Sequence, residues 1–360
     1  MRLVTDWFKR TFSDPQVVFL AVILVIAFAI ILTMGDMLAP VLASLVIAYL
    51  LEGVVGQMER RGLPRLLAVV LVFIVFLVFV TLVTFGLMPL LSRQLTQLLQ
   101  QLPTMIAVGQ DVLMTLPERY PEVVSVAQVE DLIGAIRREI TVLGQEVLSL
   151  SLASVVGVLT ILVYMVLMPL LVFFFLKDKR TILNWFQGFL PPERMFAHRV
   201  WRDVDRQIGN YVRGKFWEIL IVWSVSFGTF TAFGLQYAML LGVVVGLSVI
   251  IPYIGATVVT FPVLLVAWFQ WGWGPDFLWL AAAYLVIQAL DGNVLVPLLF
   301  SEVVNLHPVA IIVAILVFGG IWGFWGVFFA IPLATLVNAV IRAWPNRATR
   351  QTLKAGAEVA

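Results

Sequence analysis

The chain is predicted to be an all-α, polytopic integral membrane protein of about eight transmembrane helices, with broken helices in its C-terminal half. Hydrophobic residues fill 62% of the 360 positions and charged residues only 12%, against about 25% charged in an ordinary soluble chain. Mean hydropathy is +1.03. The apolar residues are gathered into runs of the roughly 20 residues that a bilayer crossing needs, and the basic residues lie between them.

Val17–Met34 is a charge-free run. It is too long for a signal-peptide core and no small-x-small cleavage site follows, so it reads as a retained span. After a Gly35-Asp36 turn, Met37–Val55 forms a second run, with Glu52 near its end as a snorkelling or paired charge. Leu66–Leu91 is the third, completing an N-terminal unit of residues 1–91. Residues 92–149 are too polar to span and form an extracytoplasmic helical element. Pro103, Pro117 and Pro121 predict short helices and turns in its first half. In its second half Val129, Ile133, Ile136, Ile140, Leu143 and Val147 repeat at helical steps close to a heptad. That stripe packs on the protein's own helices or on a neighbouring subunit. With no proline between Gln128 and Met168, one helix can run on into the fourth span, 150–176.

Residues 177–216 form a cytoplasmic amphipathic element. Phe196, Val200, Val204, Ile208 and Tyr211 share one face, while Arg194, Arg199, Arg202, Arg206, Arg213 and Lys215 supply charge. This pattern predicts a helix lying on the membrane surface, with a gating lever as the alternative. The fifth run, Phe216–Leu235, carries Glu218 at its start. Residues 217–343 form a C-terminal bundle and 344–360 a cytoplasmic tail. Basic residues cluster at the N-terminus, after the second and fourth runs and at the C-terminus. The charge rule therefore puts both termini in the cytoplasm of a bacterial inner membrane.

Composition excludes much else. The chain has no cysteine, and its two histidines, His198 and His307, lie far apart. That removes thiol chemistry and a histidine-rich metal cluster. A net charge of +2 gives no nucleic-acid signature. Neither a GxxxxGK[ST] loop nor an HExxH motif occurs. We expect no cofactor, no metal, no catalytic residue and no enzyme.

Two interruptions mark the C-terminal half. Ile251-Pro252-Tyr253-Ile254-Gly255 breaks one apolar stretch: Pro252 withholds a backbone donor, and Gly255 permits a positive φ. Phe318 to Gly326, with Gly319, Gly320, Gly323 and Gly326, breaks another. Paired interruptions of this kind point to a transporter's site; kinks or close glycine packing are the alternative. Gly242 and Gly246 form a GxxxG assigned to packing. Between the breaks lie Gln288, Asp291, Asn293, Glu302 and His307, in a stretch from 216 to 341 without Lys or Arg. An intramembrane carboxylate is a functional-site hypothesis by default. Asp291 would attract a cation or proton, and Asn293 and Gln288 would bond a polar uncharged ligand. Placement of Asp291, Glu302 and His307 in a solvated loop is the alternative.

These residues also carry a resemblance. Phe12-Ser-Asp-Pro15, Leu38-Ala-Pro-Val-Leu42, Ala48-Tyr-Leu-Leu-Glu52, Phe173 to Lys179, Ile208 to Gly214, Ile251 to Gly255, Gln288 to Pro297 and Phe318 to Pro332 occur in order over nearly the whole chain. In them the chain resembles the autoinducer-2 exporter family of permeases. The resemblance implies an inner-membrane permease of about eight spans that exports a small polar furanone signal. It implies exchange of sodium or lithium for protons in some relatives, and assembly into homo-oligomers, with a pentamer as the stoichiometry to test. Three functions stay open on the residues: a permease for a small polar solute, a sodium(lithium)/proton antiporter, and a membrane scaffold acting through residues 92–149.

Overall fold

A computed structural model describes residues 15–119, 125–131, 133–135, 137–138, 155–188, 195–252, 254–300 and 307–343. Among these residues every regular element is helical. α1 (Pro15–Arg60) holds the first two apolar runs and breaks at Met34, one residue before Gly35-Asp36. Gly62, at φ 95°, turns the chain into α2 (Arg65–Leu82). A π-helical turn, Val83–Leu87, leads into α3 (Met88–Arg119). α4 (Val155–Lys177) and α5 (Lys179–Gly188) follow. α6 (Met195–Ala232) precedes α7 (Ala238–Ser248), α8 (Ile254–Trp271) and α9 (Pro275–Leu290). A second π-helical turn, Asp291–Leu295, connects to α10 (Val296–Phe300), and α11 (Pro308–Ala343) completes the order.

The described helices long and apolar enough to cross a membrane are Met37–Arg60, Arg65–Thr115, Ile254–Trp271 and Pro275–Phe300. Shorter apolar helices are Val163–Lys177, Ala238–Ser248, Val309–Gly323 and Trp325–Asn338. The protein is a multi-pass membrane protein.

Two expectations need correction. Pro103 and Pro117 do not divide their segment into short helices; both lie inside the 32-residue α3. Proline's fixed φ is already helical, and a lost donor bends a helix without ending it when neighbouring turns carry the ladder. Pro121 lies outside the described residues, as do Ile136, Ile140, Leu143, Val147 and the junction with the fourth span. Val129 and Ile133 of the same stripe are buried. The second correction concerns the amphipathic segment. α6 runs unbroken from that segment into the fifth apolar run, and its described apolar residues Ile208, Tyr211 and Val212 pack on protein. Tyr211 and Val212 are buried with Val46, Leu50, Ile208, Phe300, Ile311 and Ile331. The Tyr49 hydroxyl of α1 donates to the Asp205 carbonyl at 3.1 Å. A Cβ at Gly209 would overlap that hydroxyl, so α6 sits against α1 at backbone distance.

α7 folds back on α6 through Gly234 (φ 70°) and Tyr237 (φ 58°). The GxxxG packs as expected: a Cβ at Gly246 would lie 2.6 Å from the Trp223 Cβ and 3.0 Å from the Ile219 carbonyl oxygen. At 1.5 Å per residue α7 is about 16 Å long, roughly half of the 30 Å hydrocarbon core. Its C-terminal end is buried in the bundle at Val249 and Ile250.

α11 is also a hairpin. Trp322 (φ −130°) and Gly323 (φ 57°) break it, and its two arms pack on each other through Ala314, Ile315, Phe318, Val327 and Ala330. The irregular backbone is thus confined to Trp322-Gly323 rather than spread over 318–326. The first arm, about 21 Å long, stops short of a full crossing. A Cβ at Gly326 would overlap the Phe318 carbonyl oxygen, whereas nothing lies within 4 Å of one at Gly320. Gly326→Ala is therefore expected to cost about 1–3 kcal/mol through forced separation of the arms. Gly320→Ala should be neutral or gain about 0.5–1 kcal/mol from helix propensity. Thermal unfolding of both variants in the same detergent checks the contrast.

Candidate functional site

Lys215 and Glu218 sit three residues apart on α6, where its amphipathic part gives way to the apolar run. One helical turn puts them on the same face. Lys215 Nζ donates to Glu218 Oε2 at 2.7 Å and to the Val249 carbonyl oxygen at 2.6 Å. It also lies 5.2 Å from the centre of the Phe300 ring. Glu218 is 1% exposed and Lys215 9%. Gly214 lets Phe300 approach, because a Cβ there would lie 2.7 Å from its ring edge.

Val249 is the first residue beyond α7, at the start of the first predicted break. The break is real: α7 ends at Ser248 and α8 begins at Ile254. Its glycine works differently from the expectation. Gly255 has no positive φ; a Cβ there would overlap the Ser248 carbonyl oxygen, so glycine is needed for close backbone approach. Pro252 lies in the turn, half-buried, and Tyr253 lies outside the described residues. Ile251 packs against the middle of the α11 hairpin.

Asp291 opens the π-helical turn that follows α9, and this turn packs on α6. The charge of Lys215 acts on both Asp291 and Glu218, and the two carboxylates repel each other. Asp291 Oδ1 is buried and has no hydrogen-bond partner among the described residues. The site therefore brings an ammonium, a carboxylate and the carbonyl of a helix C-cap into direct contact, with a second carboxylate, Asp291, within electrostatic reach. With all three side chains ionised it carries one surplus negative charge. Buried surplus charge is costly unless a proton or cation neutralises it.

The other predicted residues fall in different places. Gln288 is half-buried in the last turn of α9. Asn293 is exposed, and its Nδ2 donates to the Ala289 carbonyl of its own helix at 2.8 Å. His307 is exposed, and its Nδ1 accepts from the Val309 N–H at 3.3 Å, capping the start of α11. Glu302 lies outside the described residues. Gly319 and Gly326 serve the α11 hairpin, Gly320 faces open space, and Gly323 takes the positive φ at its tip. The tip does not build on the Asp291 group. The Trp322 indole lies against Gly35 of α1, where a Cβ would overlap it, and stacks on Phe329 at 5.8 Å. Among the described residues, no group of three His, Asp or Glu converges as a metal set.

Two further features frame the site. At the other end of α7, Gln94, Gln97, Gln100, Gln101, Gln236 and Tyr237 line a cleft of about 410 Å³. Gln94 Oε1 accepts from the Leu240 N–H at 2.8 Å, which anchors α3 to the start of α7. Burial pushes the Tyr237 hydroxyl pKa above its ordinary value. Away from this axis, Glu52 is a paired charge: it meets Arg65 at 3.2 Å and Lys179 at 3.0 Å. Arg65 also donates to the Leu176 carbonyl at 2.6 Å and pairs with Glu59 at 3.1 Å. That network ties α1, α2 and α4 together. Arg65→Met is expected to cost about 1–3 kcal/mol by stranding the Leu176 carbonyl and Glu59 and leaving Glu52 with Lys179 alone. The cost should shrink in high salt because the pairs are partly solvated, which unfolding at two ionic strengths would show.

Lys215 and Glu218 are the residues that sequence reasoning under-weighted. Lys215 reads as one more charge on an amphipathic face and Glu218 as the edge of a span. Their three-residue spacing at that junction was the available signal.

Helices that end or turn short of a full crossing, with a buried ion pair at one break, are the pattern found in membrane transport proteins. The chain belongs to the AI-2E transporter family, whose sequence model matches residues 18–346. It is 47% identical over 346 residues to the Escherichia coli (strain K12) protein named "Putative permease PerM", covering 96% of this chain and 98% of that one. Two Bacillus subtilis (strain 168) proteins, "Putative transport protein YueF" and "Putative transport protein YrrI", are each 26% identical. The matches cover 92% of this chain and 92% of YueF, and 84% of this chain and 85% of YrrI.

Proposed function

We propose that this chain is an inner-membrane permease that exports a small polar solute, with the Lys215–Glu218–Asp291 group as its coupling centre. The observation that carries the reading is the buried, partnerless Asp291 oxygen beside a helix break and an ion pair. Such a carboxylate binds and releases a proton as the bundle rearranges. The amide-lined cleft at the far end of α7 is uncharged in character and supports a neutral, hydrogen-bonding cargo of the autoinducer-2 kind. Coupling centre and cleft are separated by the length of α7, about 16 Å, so rocking of α7 against α6 would link them. Both termini are cytoplasmic in this reading, and residues 92–149 are extracytoplasmic.

Flux through purified protein in proteoliposomes tests it, with autoinducer-2 export and sodium- or lithium-driven proton movement assayed in parallel. Solute flux that depends on Asp291 supports the permease. Cation-driven proton movement without solute flux would replace it with an antiporter, which the surplus carboxylate also favours. Silence in both assays would sink both and leave the scaffold role of residues 92–149. Deleting that element and measuring partner capture tests the scaffold. The subunit number, with a pentamer as the expectation, is read by mass measurement in nanodiscs.

A further inference from the structure

We propose that the Lys215 ammonium is a tethered cation occupying the place that a sodium ion would take at the first helix break, which makes the protein indifferent to sodium. Three features of the geometry carry this. The end of α7 presents the carbonyl of its C-cap residue, Val249. Helix C-termini and unwound carbonyls are where secondary transporters hold sodium, because partial negative charge gathers there. Lys215 Nζ meets that carbonyl at 2.6 Å and Glu218 Oε2 at 2.7 Å. A carbonyl and a carboxylate are the ligand types of a hard cation, and both contacts are short, charge-assisted bonds. Finally, the position is closed: Glu218 is 1% exposed, and the Phe300 ring lies 5.2 Å from the ammonium.

An ammonium is a compact, strongly hydrated point charge, so lysine, unlike the planar arginine, mimics an alkali ion. While it is in place, the position between Glu218 and the Val249 carbonyl is filled and closed to a second cation, and the remaining charge on Asp291 is left to a proton. Once it is removed, Glu218, Asp291 and the Val249 carbonyl are left without a counter-charge, and sodium or lithium from solution can take its place. The charge of the centre is then preserved with a dissociable ion instead of a covalently held one.

The test uses the full-length protein in nanodiscs and reads binding of radioactive sodium and the unfolding temperature in sodium, lithium or choline chloride. Neither readout depends on solute flux, so absence of autoinducer-2 export leaves this result standing, whereas sodium-driven proton movement by the wild type would overturn both readings. The wild type is expected to bind no saturable sodium and to unfold at the same temperature in all three salts. Lys215→Ala is expected to bind sodium. Its Tm should rise by about 2–4 °C in sodium or lithium at roughly ten times the Kd. Adding Glu218→Gln to Lys215→Ala should remove that response. Saturable sodium binding by the wild type would overturn the proposal. So would a folded Lys215→Ala that ignores sodium, or a Lys215→Ala that stays unfolded in every salt.

Discussion

Asp291→Asn is expected to lower solute efflux at least about tenfold while leaving the amount and unfolding temperature of the protein unchanged or slightly raised. The substitution keeps shape and removes only the charge. A unit charge interacting at several ångströms in a medium of effective dielectric about 20 is worth about 2–4 kcal/mol, and each 1.4 kcal/mol is tenfold in rate. Stability should not fall, because Asp291 Oδ1 has no partner to lose and an unpaired buried oxygen is a cost in the folded state. Asp291→Glu, which keeps the charge, should retain part of the flux. The measurement is initial efflux from proteoliposomes at matched protein density. Wild-type efflux from well-folded Asp291→Asn would take Asp291 out of the mechanism.

Lys215→Met should cost about 3–5 kcal/mol, since it strands the buried Glu218 carboxylate. Glu218 loses its 2.7 Å partner and the Val249 carbonyl its 2.6 Å donor. The double variant Lys215→Met/Glu218→Leu should recover much of that loss, because replacing a buried pair by apolar groups of similar volume is close to neutral. Chemical unfolding in a choline-based buffer, with both single variants and the double, completes the cycle. A double variant as unstable as Lys215→Met would show that Glu218 does not act as that lysine's buried partner.

The first helix break was legible because proline removes a donor that no spacing of apolar residues can restore, and Ile251-Pro252 does so in the middle of an apolar stretch. The second was legible because Gly323 sits among glycines and tryptophans that no ordinary span uses so densely. Asp291 stood out as a carboxylate in a stretch without basic residues. The ammonium whose charge reaches it did not, since Lys215 lies 76 positions earlier (291 minus 215) and belongs by pattern to a charged surface helix. Asn293 and His307 looked equally good as ligands; the structure spends one on its own helix and the other on capping α11.

Composition and run length by themselves determined that this chain lives in a bilayer as a bundle of helices, because transfer of apolar area out of water is local and additive along the sequence. They also located the backbone breaks, since those follow from single residues. What only the tertiary structure decided is which charges meet. Pairing of Lys215 with Glu218 and the Val249 carbonyl, the approach of Asp291, and the separation of the Trp322 hairpin tip from that group depend on how α6, α7 and the turn after α9 fold together. Electrostatics in a low-dielectric interior acts through distance in space, and distance along the chain does not set it.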